Sequence, residues 1–514
     1  MIEKGRTFDI LLCFSFVRTS NVFHCLVYCV SPFQLLNSHQ SVKYSYCFIS
    51  IYTSLLKHPH KEEKQVKQQR KGKLEIMDNQ PVKKIDNSSR SDRISNLPNH
   101  IIDNILSCLS IHEAVGTSIL SKKWRFRWRY LPNLVFDDTF YETSMRSSTT
   151  KPSITKFFLD IYSILLLHQG PIMNFTFYVP SLDSFSEIDR LMLYLSEKDV
   201  QEFFLNIEGS SHIDRLPSFL FSCVTMRRLT LTCCSFTVPL AFQGFVTLIS
   251  LKFQSVRFKT NLFETFISKC PLLETLSIKS CSGIDDLDID IPYLKYFHFH
   301  GPFKAICFRK TCLHLSKVII SNSTSADNFS GPKTSEPTKL FESLPAIDHL
   351  RLGYQFVDYL IDRTVPIKLS ATLDCLRVLN LSEMCFRYPE HVSVVLRLIV
   401  SSLNLQFLAI ESFAYTDEIP LLAPELLKVE GLLDNALKKL RVVKMTLPNA
   451  EIEPELEFIK FLLAESVALE KMIIQPSEET EPKQALNILK EITRFQRSSK
   501  KAEILFLDPQ YDDE

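Results

Sequence analysis

Glycine is scarce in this chain, with 11 in 514 residues. A glycine-poor chain has little material for phosphate cradles, and neither a G-x-G-x-x-G nor a G-x-x-x-x-G-K-[ST] string occurs. Tryptophan is scarcer still, at two. Net charge is also small, formally +1, so no basic surplus exists for general binding along a phosphate backbone. Apolar runs are short: Arg18, Asn21 and His24 interrupt the most apolar one, well under the roughly 20 residues a membrane-spanning helix needs. No pair of C-x-x-C elements with following ligands stands among the 14 cysteines, which excludes the usual structural zinc patterns. The cysteines read as buried, reduced thiols acting as small hydrophobes.

Catalytic sets are likewise missing. His112, His168, His298 and His300 have no acid or nucleophile at fixed spacing. Asp285, Asp286, Asp288 and Asp290 lack the glycine and terminal glutamate of a calcium loop. They alternate with Leu287 and Ile289, as on a half-buried strand with a solvated face. No catalytic residue, metal site or cofactor is expected, and the chain does not read as an enzyme.

What is present begins with the amino-terminal residues 1–76. Lys4 and Arg6 precede an apolar stretch loosely like a signal peptide, and a basic run from Lys57 to Lys73 follows. Composition changes at Met77, so residues 1–76 are expected to be a non-native or unstructured extension and 77–91 a polar leader. Next, Ile101, Ile102, Ile105, Leu106 and Leu109 form one apolar stripe on a helix opened by Leu97-Pro98, with Ser95 or Asn96 near its start. Ser110 is placed to cap a second helix carrying Ile111, Ala114, Val115 and Leu120. Ser121 is placed to cap a third, with Trp124 and Trp128 one turn apart on one face. Three helices this short cannot hide so many large apolar side chains, and a partner is expected to finish the core.

The string Asp92, Ile94, Ser95, Leu97, Pro98, Ile101, Ile102, Ile105, Leu106, Leu109, then Leu120, Ser121, Trp124, Arg125, Trp128, Leu131, Pro132, Leu134, Phe136, Asp137 resembles the plant-type F-box. Phe126 stands where Lys or Tyr is more usual. The resemblance implies docking onto a Skp-type adaptor and, through it, a cullin-RING ubiquitin ligase of the SCF type. It places Leu97, Pro98, Ile101, Ile105, Leu106, Leu109, Val115, Leu120, Trp124 and Trp128 at the adaptor interface.

Behind it the pattern apolar-x-x-apolar-x-apolar starts at Ile172, Val200, Met226, Leu248, Leu273, Leu294, Leu315, Ile347, Leu376, Leu405, Leu440 and Leu469, at intervals of 21 to 35 residues. Helix-like runs precede several units, such as 262–271 and 394–400. A unit of this length cannot bury its own apolar face, so stacked neighbours are expected to share one core in a curved solenoid. The pattern is that of irregular leucine-rich repeats, with loop insertions at 322–340 and 412–435. Residues 437–474 read strand, amphipathic helix, strand and resemble the FBD unit of plant F-box/FBD/leucine-rich-repeat proteins. A helix over 483–496 and a strand over 502–507 are expected to cap the open end.

The fold class is therefore α/β: a small three-helix F-box at 92–138, a leucine-rich-repeat solenoid at 150–430 and an FBD unit with its cap at 431–508. The implied role is target recognition for ubiquitin conjugation, with an unknown target protein on the repeats and no nucleic acid or membrane partner. Location in nucleus or cytoplasm is expected. Three other readings share the sequence: a small-molecule or hormone sensor of the same architecture, a non-ligase scaffold, and a secreted repeat receptor using residues 1–36 as a signal. Unpaired cysteines and the docking module weigh against the last.

Overall fold

The computed structural model describes residues 94–146, 154–180, 186–208, 216–259, 262–284, 286–303, 305–321, 339–361, 372–413, 437–449 and 452–508, with the backbone of 12–19 and 22–29. Those last two segments pair as antiparallel strands, where an unstructured extension was expected. The leader at 77–91 and most of both expected insertions lie outside the described residues. The chain divides into two compact units, Met1–Trp128 with Thr143–Lys151, and Arg129–Glu142 with Pro152–Glu514.

The second unit is built on one fourteen-stranded sheet in which every neighbouring pair is parallel. In chain order its strands are β1 (Asn133–Phe136), β2 (Asn174–Pro180), β3 (Glu202–Glu208), β4 (Arg228–Thr232), β5 (Ser250–Gln254), β6 (Thr275–Lys279) and β7 (Tyr296–His300). They continue as β8 (Lys317–Ser321), β9 (His349–Gly353), β10 (Val378–Met384), β11 (Phe407–Ser412), β12 (Val442–Leu447), β13 (Lys471–Pro476) and β14 (Glu503–Phe506). Spatial order equals sequence order, as stacked repeats require. Each of the twelve apolar triplets begins two residues before a strand, and all twelve opening residues are buried. First strand residues pair in register, for example Arg228 with Ser250, Ser250 with Thr275 and Thr275 with Tyr296.

The repeat pattern explains the sheet. The second and fourth residues of the strands from β1 to β13 are buried, as Leu251 and Phe253 are on β5, alternating with more open first and third residues on most of them. Helices follow where apolar runs were read, at Leu262–Ile267 and Pro389–Val400. The abundant phenylalanines fill the space behind the strands: Phe236 meets Phe266 edge-on at 4.8 Å between ring centroids, and Phe242 meets Phe245 at 5.0 Å. Such edge-on pairs add to the burial of large rings.

Several strands end in the same corner. Cys233, Ser255 and Ser280 take φ of 54°, 52° and 50°, and each amide donates to the last carbonyl of the next strand: Gln254 at 2.9 Å, Lys279 at 2.8 Å and His300 at 2.6 Å. Gly301 fills that place after β7 and donates to the Ser321 carbonyl. Cys233 is thus a corner residue and only Cys234 is fully buried, so the adjacent pair does not alternate across a strand. The corner launches a second row of short parallel strands, Ser235–Phe236 beside Arg257–Phe258 and Asp286–Ile289 beside Ala305–Phe308. Gly283, at φ 81°, sits in this row where a Cβ would collide with the Phe258 carbonyl. Leu287 and Ile289 are buried as expected, and Asp288 and Asp290 pair with Arg309 and Lys310.

The ends of the sheet correct the domain boundaries. Its first strand, Asn133–Phe136, comes from the tail of the F-box string, Leu134-x-Phe136. The stretch at 168–170 is clamped near it: Gln169 and Gly170 amides donate to the Arg129 carbonyl, and a Cβ on Gly170 would lie 2.9 Å from Tyr130 Cα. At the other end the strand–helix–strand unit appears as Val442–Leu447, Glu453–Glu465 and Lys471–Pro476, with Pro454 in the first helical turn. The helix Pro482–Thr493 then leads to β14, which pairs with β13. The expected cap strand therefore extends the sheet by one rung.

Candidate partner-binding surfaces

The first unit is organised by two short helices, Asn99–Ser107 and Ile111–Gly116. Pro98 precedes the first at the N-cap, one position earlier than a first-turn proline, and neither Ser95 nor Asn96 caps it. Ser110 does cap the second. Its Oγ accepts from the Glu113 amide at 3.4 Å while the Glu113 carboxylate accepts from the Ser110 amide at 3.1 Å, a capping box. The expected third helix is absent: residues after Ser121 form turns and then a single 3-10 turn, Arg127–Tyr130. Local bonds persist there, the Trp124 and Arg125 amides donating to the Ser121 carbonyl, and tertiary ties join them. Trp124 Nε1 donates to the Ile94 carbonyl at 3.1 Å, Lys123 Nζ donates to the Leu97 carbonyl, and Arg127 Nε donates to Asp103 Oδ1 at 3.0 Å.

These ties sort the ten expected interface residues. Leu106, Trp124 and Trp128 are buried, so they do not offer the open surface read from sequence. Their role in this chain is to hold the unit together. Leu97, Ile101, Ile105, Leu109, Val115 and Leu120 are half-buried and Pro98 is exposed. The reason lies in helical geometry: Ile102 and Leu106 share one face, and Ile101 and Ile105 form a parallel stripe rotated by about 100° from it. One stripe seals and its neighbour stays half open. Two apolar residues not among the ten also face solvent, Ile119 at 56 % and Phe126 at 44 % exposure. Both fall outside the helical period, the signal by which they could have been found.

A second open surface is the outward face of the sheet. On β7, Tyr296 Oη approaches His298 Nδ1 at 3.4 Å, and His300 Nδ1 meets Ser321 Oγ at 3.0 Å. Burial and the charges of Lys279, His300, Arg351 and Lys317 push His298 down to about 4. Arg351 Nε donates to Ser382 Oγ at 3.2 Å, and its Nη2 lies 3.5 Å from Glu411.

No group of three or more His, Cys, Asp or Glu able to hold a metal occurs among the described residues. Nor is any helix among them long and apolar enough to cross a membrane. Cys223, Cys234, Cys270, Cys281 and Cys312 are buried, and desolvation raises each thiol. Cys108, Cys307 and Cys375 are exposed, which corrects the reading of a uniformly buried set.

Comparison with known proteins bears on both surfaces. Residues 94–136 match the F-box domain family, and residues 188–410 match the family described as FBD-associated F-box protein At5g56370, LRR repeats. The chain is 34 % identical over 427 residues to the F-box/FBD/LRR-repeat protein At1g13570 of Arabidopsis thaliana, covering 81 % of this chain and 98 % of that one. It is 25 % identical over 470 residues to F-box/LRR-repeat protein 13 of the same plant, covering 82 % and 97 %. Among solved structures, an LRR protein of Leptospira interrogans is similar at 14 % identity and a TM-score of 0.26, over 73 % of this chain and 95 % of that one.

Proposed function

The chain belongs to the F-box/FBD/LRR-repeat family, and on that premise we propose that it is a target-recognition subunit of an SCF-type cullin-RING ubiquitin ligase. The first unit docks a Skp-type adaptor, and the outward face of the sheet holds a target protein. The chain works in the nucleus or cytoplasm and makes no bond itself. Its contribution to rate is proximity, which raises the effective concentration of target lysines at the ubiquitin-loaded partner.

The observation that carries this reading is the half-open aliphatic stripe of Ile101 and Ile105, flanked by Leu97, Pro98 and Leu109. Completing the burial of such side chains contributes several tenths of a kcal/mol to over 1 kcal/mol each, at roughly 25 cal/mol per Å². Four or five of them, fixed beforehand by the Trp124 and Asp103–Arg127 ties, make an adhesive patch needing little reordering. Co-purification with a Skp-type adaptor tests it. Wild type is expected to hold the adaptor, and an Ile101→Asp, Ile105→Asp double variant to release it while the thermal unfolding of the repeat unit stays unchanged. Retention of the adaptor by that variant overturns the assignment.

A further inference from the structure

Strands β5 to β9 differ from the rest of the sheet in the sign of their outward charge. Each presents three outward positions, and the fifteen residues include Lys252, Lys279, Lys317 and Arg351, with His298, His300 and His349, and no Asp or Glu. The flanking strands are balanced. Counted over the first, third and fifth positions, β1 to β4 hold one acid and one base, Glu202 and Arg228, paired with each other. Those of β10 to β14 hold Glu411, Glu503, Lys444 and Lys471. In a chain of net charge +1 the excess is local.

The three lysines of this patch are also unspent. Lys252, Lys279 and Lys317 are exposed, and none has a carboxylate partner among the described residues. Acids at the rim are already engaged: Glu274 by Lys295 at 2.9 Å, and Asp348 by His349 at 2.7 Å and Arg377 at 3.4 Å. Arg351 is shared with Glu411 at 3.5 Å and lies in the field of Glu383. Lys317 Nζ lies 5.6 Å from the Tyr296 ring centroid, which holds that side chain over the patch. Burial lowers His298 first, and the neighbouring Lys279, His300, Arg351 and Lys317 add to it by resisting another positive charge.

We propose that the outward face of β5 to β9 binds an acidic peptide segment, with Lys279, Lys317 and Arg351 around His298 as the central contacts. Parallel strands 4.7–4.9 Å apart (about that spacing in any sheet) set the lysines at intervals an extended chain of alternating carboxylates can span. Unpaired cations of one sign steer such a segment and reject basic ones. This rests on the reading that the sheet's open face holds the target and adds the target's chemistry.

Fluorescence anisotropy of the full chain with a labelled Glu-Ser repeat peptide is the test, against a Gln-Ser control. Saturable binding of the Glu-Ser peptide, weakened by salt and absent for Gln-Ser, is expected. The Lys279→Glu, Lys317→Glu variant should lose roughly tenfold in affinity, the scale of two partly exposed attractions turned to repulsions. A Lys444→Glu, Lys471→Glu variant on the same face should lose less than twofold. Equal binding of both peptides, no binding, or equal loss in both variants overturns the proposal. A photo-crosslinker at Ile319 separates this failure from that of the underlying reading. Crosslinks to ubiquitinated proteins without acidic-peptide binding remove the charge preference alone, and absence of both removes the target-holding face as well.

Discussion

The two units bury their apolar residues to different extents. In the repeat unit all twelve triplet openers, from Ile172 to Leu469, are closed off by neighbouring repeats. In the first unit Ile102 and Leu106 are sealed while Ile101 and Ile105, one residue before each, are half open. Composition does not distinguish them, since both are rich in leucine and isoleucine. Stacking does: a repeat has a neighbour on each side, and two short helices with a turn do not. Among the described residues the stripe stays half-buried, which leaves it surface to share with a partner.

The comparison breaks most visibly in the core of the repeats. Phe266→Ala removes a ring in contact with Phe236, Phe242, Phe245 and Phe253 and should cost about 3–5 kcal/mol in urea unfolding. Gly283→Ala should cost less, about 1–3 kcal/mol, through positive φ and the clash with the Phe258 carbonyl. Ile105→Ala in the open stripe should lower stability by only about 1 kcal/mol while weakening adaptor capture at least tenfold, measured by calorimetric titration. A stability loss as large as that of Phe266→Ala would mean the stripe is core, and the contrast between the units would vanish. The smallest effect is expected at a corner: Ser280→Gly should raise stability by under about 1 kcal/mol, because glycine takes φ of 50° without strain.

Acidity sharpens the contrast within the repeat unit. His298 is held down at about 4 by burial first and neighbouring cations second, so the unfolded chain binds its proton before the folded chain does. Its presence makes stability rise with pH between about 4 and 6.5. Glu455 acts oppositely. Burial pushes its carboxyl up to about 7 against the pull of Ser412 and Arg387, so its ionisation costs stability as pH rises from 4.5 to 7. Thermal unfolding across this range should therefore tilt in opposite senses: His298→Asn removes the rising component and Glu455→Gln the falling one. Like tilts in both variants would contradict the two environments.

Much of this was legible in the residues. Period-3.6 spacing gave the Asn99–Ser107 helix, Ser110 gave the capped second one, and the triplets located twelve strands to within two residues. Both exceptions in the first unit have a physical cause. The third helix was read from the spacing of Trp124 and Trp128, but indole and guanidinium bonds to Ile94 and Asp103 hold that segment in turns instead. The resemblance placed the tryptophans at the adaptor interface, while their size also makes them good filling for a small core, where both are buried.

The sequence by itself determined the repeat, its register and the placement of an adhesive module ahead of it, because hydrophobic period and capping are local properties. Tertiary structure decided which side of that module stays open, that the F-box tail at Leu134 and Phe136 is the sheet's first strand, and that Lys252, Lys279, Lys317 and Arg351 share one face. Those residues stand as much as 38 residues from the next in the chain. Only parallel pairing of successive repeats brings such distant positions side by side, since the register that joins them is made between strands and not along any one of them.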